Sequence, residues 1–211
     1  MVTHILRSDT DPIVLARLRA VNRAMRDAVD ATGLRVKEWT PEEAAERGCL
    51  DTLKHKLQTG RLNECTVYES SVCEYAAKEG QLEVLQWAHA NGCPWNEMTC
   101  AFAAGKGKLE AIQWLHANGC PWAESTCQWA ADGGHLEVLQ WLRTNGCPWN
   151  EETCSNAAFC GQLGVLQWAH ANGCPWDWQH CVSRCKFGAD SESDHLDVLA
   201  WLNENKPMAP P

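Results

Sequence analysis

The chain has 211 residues, 45% hydrophobic and 21% charged, a composition typical of globular proteins that argues against wholesale disorder. Its formal net charge of -9 disfavours nucleic acid as a partner, and no run approaches the roughly 20 apolar residues of a membrane helix. Charged residues, among them Asp9, Asp11 and Arg17, interrupt every early apolar run, so we expect no signal peptide. These features favour a cytoplasmic protein, with the nucleus as the alternative.

The first segment of the chain differs in charge from the remainder. Residues 1–36 hold six Arg and four Asp, whereas the following residues carry a large acidic excess. Asp11-Pro12 can begin a helix, with Pro at its first position. We predict a helical segment over residues 1–36, a repeat region over residues 37–206 and a short tail at 207–211.

The helix expected after Pro12 carries apolar residues at helical spacing. The string from Asp11 to Val29 resembles the second half of an F-box, a motif that joins a target-binding domain to a cullin-type ubiquitin ligase through a linker subunit. The resemblance implies docking of that linker through Leu15, Leu18, Val21 and Met25. The alternative is an amphipathic capping helix that closes the repeats, and the two interpretations are compatible.

The central region repeats every 27 residues. Cys-Pro-Trp begins at residues 93, 120, 147 and 174, and Ala-Ala begins at residues 76, 103, 130 and 157. Trp87, Trp114, Trp141 and Trp168 keep the same interval. Three motifs with one period indicate stacked structural units.

The period extends outward in two modified copies. Ala44-Ala45 lies 32 residues before Ala76-Ala77, so a first copy carries a five-residue insertion. A last copy carries six extra residues, which we assign to 190–195. We therefore expect about six units, of which the outer two serve as caps.

Each unit is predicted to be a pair of helices. Asn150 is a good N-cap for the first helix, and Cys154, Ala157 and Ala158 form a face of small residues that lets another helix approach closely. The second helix has apolar residues at helical spacing and ends at Asn172-Gly173. Tryptophans on the second helices and in the Cys-Pro-Trp corners are expected to pack between units.

The cysteines fit the same scheme. Thirteen is an odd number, so complete internal pairing is impossible, and without an export signal we expect free thiols. Eight of them repeat with the 27-residue period, which predicts small buried residues of the core. The eight are Cys93, Cys120, Cys147, Cys174, Cys100, Cys127, Cys154 and Cys181.

The units resemble ankyrin repeats. Residues 130–142 read Ala-Ala-Asp-Gly-Gly-His-Leu-Glu-Val-Leu-Gln-Trp-Leu, which is similar to the family's Ala-Ala-x-x-Gly-His-Leu-Glu-Val-Val-x-Leu-Leu. The ankyrin unit has about 33 residues, and the residues missing here fall where the family has its β-hairpin. The resemblance, over about residues 40–205, implies an all-α solenoid of helix pairs with hairpins reduced to tight corners. It also implies a non-catalytic module that binds a protein through its concave face.

No metal, cofactor or catalytic site is expected. His89 and Cys93 share a His-x3-Cys spacing that recurs, but zinc needs four converging ligands, and equivalent residues of stacked units lie about 8–10 Å apart. Glu83, Glu110 and Glu137 repeat at one helical position, which is typical of a solvated face rather than of a unique acid or base. We therefore predict that the chain is not an enzyme.

Positions that differ between units are candidates for partner binding. The residue before Ala-Ala is Tyr75, Phe102, Trp129 or Asn156, and the ankyrin resemblance places the residues after Ala-Ala toward the concave groove. This row is either an exposed recognition stripe or part of the core between units. The candidate partner-binding residues are Tyr75, Lys78, Glu79, Phe102, Lys106, Trp129, Asp132, Asn156 and Phe159.

Three functional hypotheses follow from these patterns. The first is protein–protein recognition by a monomer, with a protein partner whose identity the sequence does not give. The second is an F-box-type adaptor, in which residues 4–33 dock the linker subunit of a ubiquitin ligase and the repeats hold the target. The third is self-association through exposed tryptophans.

Overall fold

The structure, a computed structural model, describes residue 13 and residues 39–58, 72–188 and 195–207. From residue 39 onward these residues form twelve helices and no strand. The first six are α1 Pro41–Glu46, α2 Leu50–Gln58, α3 Val72–Glu79, α4 Leu82–Ala90, α5 Glu97–Gly105 and α6 Leu109–Ala117. The other six are α7 Glu124–Asp132, α8 Leu136–Thr144, α9 Glu151–Phe159, α10 Leu163–Ala171, α11 Trp178–Gly188 and α12 Leu196–Glu204.

The helices follow the period of the sequence. The first helices α5, α7 and α9 begin at Glu97, Glu124 and Glu151, each 27 residues after the previous one. The second helices α4, α6, α8 and α10 keep the same interval. The described residues thus contain six helix pairs, and the predicted all-α solenoid of stacked helix pairs is confirmed.

The ends of the helices are set by repeated side-chain contacts. The Asn150 side chain accepts a hydrogen bond of 3.1 Å from the backbone N–H of Glu152, as expected for an N-cap. At the other end of the unit, the Asn172 side chain donates to the carbonyl of Trp168 at 2.8 Å. Gly173 follows with a φ of +79°, which a residue without Cβ adopts readily. These contacts end each pair where the Asn-Gly motif predicts.

The first helices form the inner side of the stack. Each of them, from α1 to α11, packs against the first helix of the next unit, whereas the second helices are spread apart. The Ala-Ala pairs at 76–77, 103–104, 130–131 and 157–158 are fully buried, which permits this close approach. Helices that are close on one side and spread on the other produce a curved stack, so we call the surface of the first helices the inner face.

The corners, which are the Cys-Pro-Trp segments between units, are joined to one another by thiols. The Cys120 Sγ donates to the carbonyl of Asn96 at 3.4 Å, and the Cys174 Sγ donates to that of Asn150 at the same distance. Cys147 and Ala123 form the equivalent bond at 3.6 Å. These cysteines are buried and free, so each thiol fills core volume and also links its corner to the preceding one.

The tryptophans of the second helices and those of the corners form one interleaved row. The corner indole Trp95 packs edge-on against Trp114 on the second helix of the next unit, with ring centres 5.8 Å apart. The pairs 122–141 and 149–168 repeat this edge-on contact at 6.0 and 5.9 Å, and the rings of the pair 176–201 are tilted at 5.9 Å. The rings are half-buried against the core, so the prediction that tryptophan joins the units is confirmed.

Candidate partner-binding surface

Three aromatic residues lie in consecutive units along the inner face. Tyr75 and Phe102 are half-buried, and Trp129 is 38% exposed. Phe102 and Trp129 meet edge to face, with ring centres 5.2 Å apart. This aromatic row is therefore neither a closed core nor a fully solvated surface: its rings are held by their neighbours and still open to solvent.

A pocket of about 150 Å³ lies at one end of the aromatic row. It is lined by Glu74, Tyr75, Lys78 and Phe102. The Lys78 ammonium lies 5.7 Å from the centre of the Tyr75 ring and 3.5 Å from a carboxylate oxygen of Glu46. Two units therefore build a recess with an aromatic wall and charges of both signs at its rim.

The other candidates differ in how far they are already engaged. Lys106 and Asp132 are exposed, and a carboxylate oxygen of Asp132 accepts a hydrogen bond of 3.1 Å from the Cys160 thiol. The Glu79 carboxylate is 3.8 Å from the Lys78 ammonium. Lys106 therefore offers an exposed cation on this face, whereas Glu79 and Asp132 already have partners within the protein.

Asn156 and Phe159 are brought together by Arg184, which the sequence analysis did not single out. The Arg184 guanidinium donates to the Asn156 side-chain oxygen at 2.8 Å and lies 4.4 Å from the centre of the Phe159 ring. Arg184 stands 27 residues after Ala157, where the other units have the first alanine of Ala-Ala. Extension of the 27-residue register by one unit would have revealed this substitution.

A second recess lies where the last two units meet. This acidic cleft, of about 410 Å³, is lined by Glu151, Glu152, Pro175, Trp176, Asp177 and His180. His180 Nε2 is 3.6 Å from a carboxylate oxygen of Glu152. The cleft was not predicted from the sequence, because residues from two successive corners have to meet before it exists.

Several buried thiols, among them Cys73, Cys120 and Cys181, are held in their protonated form. Burial raises the pKa of the Cys73 thiol to about 12, and burial raises that of Cys181 to about 12 as well. A hydrogen bond with Cys100, together with burial, raises the pKa of Cys120. Since the thiolate is the nucleophile and the metal ligand, these cysteines have a structural role in the reduced protein.

Three further observations concern a metal site, a membrane-spanning helix and the predicted docking residues of the N-terminal segment. Within the described ranges, no group of three or more His, Cys, Asp or Glu residues is placed to hold a metal ion. None of the helices in those ranges combines the length and the apolar character needed to cross a membrane. The proposed docking residues of the N-terminal segment, Leu15, Leu18, Val21 and Met25, lie outside the described residues.

A comparison with known protein families found a match for the central units of the stack. Residues 73–116 and 98–143 match the family model of ankyrin repeats (many copies). These two matches overlap and cover the units from α3 to α8, which include the whole aromatic row. A comparison with curated proteins found no match for the chain.

Proposed function

Because residues 73–143 match ankyrin repeats, a family of protein–protein interaction modules, we propose that this protein is a non-catalytic module that binds a protein partner through its concave inner face. The observation that carries the proposal is the ring pair of Phe102 and Trp129, where an indole 38% exposed is held at 5.2 Å by its neighbour. An aromatic side chain that is ordered before binding loses little entropy on binding, which is a property of interface hot spots.

The solenoid also supports a binding role over catalysis. Its units present nearly identical residues at equivalent positions, whereas an enzyme needs one unique arrangement of acid, base or nucleophile. Tyr75, Phe102 and Trp129, which occupy one repeat position on the first helices, are among the residues that differ between units. Variation on one face of a uniform scaffold is the usual way in which repeat proteins acquire specificity.

The proposal is tested with random peptides displayed on phage and selected on the immobilised protein. We expect peptides that bind the wild type and lose binding to the combined variant Tyr75→Ala, Phe102→Ala and Trp129→Ala. The matched control carries Glu83→Ala, Glu110→Ala and Glu137→Ala, three exposed positions on the second helices. Equal binding to the aromatic variant and to the control, or no enrichment at all, would overturn the proposal.

A separate variant distinguishes a loss of binding from a loss of stability. Lys106 is exposed on the same face, so Lys106→Glu changes the surface without removing packed atoms. Circular dichroism melts of every variant identify any that unfold. Self-association through the exposed Trp129 remains the third hypothesis, and sedimentation that gives a monomer at micromolar concentration would remove it.

The adaptor hypothesis remains a prediction from the sequence of residues 4–33 alone. It expects that the full chain captures the linker subunit of a cullin-type ligase in a pull-down. The variant Leu18→Asp with Met25→Asp should abolish capture, because both changes put a charge on the apolar face of the expected helix. Absence of capture by the wild type would exclude the adaptor role and leave the recognition role intact.

A further inference from the structure

The edge of the stack at the corners is rich in carboxylates. At each corner a carboxylate lies in the first turn of the next first helix or immediately before that helix, and no Lys or Arg occurs in the sequence of residues 91–99, 118–128, 145–155 or 172–180. The carboxylates are Glu97, Glu124, Glu151, Glu152 and Asp177. At the other ends of the helices, near the Gly turns, cations and carboxylates alternate, as in the pairing of Lys78 with Glu46 and Glu79. At the corners these five carboxylates predominate, and Arg143, whose guanidinium lies over the Trp149 indole, brings a cation to them.

At the last corner, the carboxylates of this acidic row line the acidic cleft. Three carboxylates, of Glu151, Glu152 and Asp177, line it together with the half-buried indole of Trp176. An aromatic face attracts a cation electrostatically, and carboxylates beside it supply hydrogen-bond acceptors for a guanidinium or an ammonium. The cleft therefore has the chemistry that recognises the head group of an Arg or Lys side chain.

The other end of the face has a different chemistry. The pocket of Tyr75 and Phe102 is walled by aromatic carbon, and its Glu74 is tied to the corner by a hydrogen bond of 3.1 Å from the Asn96 side chain. Asn96 immediately precedes Glu97, so the pocket is joined to the acidic row. The apolar recess is thus joined to the first of the acidic corners, and the acidic cleft lies at the last of them.

The length of this surface sets the size of a matching ligand. The pocket lies between α3 and α5, and the cleft lies between α9 and α11, three units further along. Packed helices are about 8–10 Å apart, so the two recesses are separated by roughly 24–30 Å. An extended chain rises about 3.3 Å per residue and would span that distance with about eight or nine residues.

We propose that the inner face and the adjoining corner edge bind an extended, positively charged segment of a partner protein, with one large apolar side chain in the Tyr75–Phe102 pocket and an Arg or Lys head group in the acidic cleft beside Trp176. This inference rests on the proposed function, because it needs the inner face to be the binding surface. It adds the chemistry of the partner, argued from charge complementarity with a chain whose net charge is -9. Complementary charge of this kind raises the rate of association and selects partners by sign.

The experiment uses random peptides of about 12 residues displayed on phage, long enough to span both recesses. The selected peptides are sequenced, synthesised with a fluorescent label and titrated by anisotropy. We expect enrichment of Lys and Arg at one end and of Phe, Leu or Trp near the other. Binding should weaken as salt increases, because the charges at the rim are exposed.

Two charge-neutralised variants separate a local from a general electrostatic effect. Glu151→Gln, Glu152→Gln and Asp177→Asn remove three charges from the cleft, and Asn still caps α11. Glu83→Gln, Glu110→Gln and Glu137→Gln remove three exposed charges from the second helices. We expect affinity to fall about tenfold or more in the first variant and by less than about twofold in the second.

The outcomes distinguish this inference from the proposed function. Peptides that bind the aromatic row, lack basic residues and tolerate neutralisation of the cleft would overturn the basic-ligand inference and leave the proposed function standing. Equal loss in both charge variants would overturn the assignment of the cleft. If no peptide depends on Tyr75, Phe102 or Trp129, the proposed function fails as well.

Discussion

The Arg143 guanidinium lies over the indole of Trp149, with its central carbon 4.1 Å from the ring centre. In other units a histidine occupies this position, and His116 stacks on Trp122 with ring centres 4.0 Å apart. Arg143 interrupts the histidine column in the sequence and yet preserves the contact in the fold. The position therefore selects a flat side chain that can cover the corner tryptophan and face the second helix of the next unit.

The contact at Arg143 predicts an asymmetry between two substitutions. Arg143→Ala removes a cation–π contact and a hydrogen bond to the Cys147 carbonyl, so the free energy of unfolding should fall by about 1–2 kcal/mol. Arg143→His restores the arrangement of the other units and should cost less than about 0.5 kcal/mol. Urea unfolding measures both, and equal losses would show that the stacked ring contributes nothing.

Two helical glycines predict opposite responses to alanine. A Cβ at Gly105 would lie 2.9 Å from Cε3 of Trp129, so Gly105→Ala has to displace the indole and should destabilise by about 1–2 kcal/mol. A Cβ at Gly164 in α10 would meet nothing within 4 Å, so Gly164→Ala should stabilise by about 0.5–1 kcal/mol. Thermal melts of the two variants check the signs, and a Gly105→Ala variant as stable as the wild type would contradict the packing of Trp129.

The buried thiols predict a loss of stability in alkali. The Cys73 thiol has a pKa of about 12 in the fold against 9.0 as the ordinary value. Between these two pKa values the unfolded chain binds fewer protons than the folded protein, so the free energy of unfolding falls as pH rises. The stabilisation that comes from the protonated Cys73 thiol is fully present below the lower pKa. Each such thiol adds a slope of up to about 1.4 kcal/mol per pH unit.

Denaturant unfolding of the reduced protein from about pH 7 to pH 10 measures this slope. Cys73→Ala supplies the comparison, because it removes one titrating group, and the slope should become shallower even though a cavity lowers stability at every pH. An unchanged slope would mean that the Cys73 thiol reaches solvent.

The architecture could be read from the sequence because it is periodic. A residue such as Asn150 or Gly173 fixes a helix end through local backbone geometry, and the same residue recurs in each copy. Because the spacing is 27 residues, a prediction made for one unit applies to the equivalent residues of the other units. The interleaving of Trp95 with Trp114 was not predictable in this way, since it depends on how far one unit is rotated relative to the next.

The candidate surface was only partly predictable. Position relative to Ala-Ala identified Tyr75, Phe102 and Trp129, but their exposure depends on the neighbouring side chain, as the contact between Phe102 and Trp129 illustrates. The acidic cleft escaped sequence analysis because Glu152 and His180 belong to different units. Features within one unit follow from the repeat, whereas features between units require the stacking geometry.

The thiol bonds between successive corners have a consequence for how the protein can change in length. Each of these hydrogen bonds, which form the joints of the stack, connects only adjacent units, as the bond from the Cys147 thiol to the Ala123 carbonyl does. The same bond can form wherever two such units meet. A whole internal module can therefore be deleted or duplicated without creating a new kind of junction. Gene duplication or recombination in steps of one module would shorten or extend the binding surface and leave every remaining joint intact.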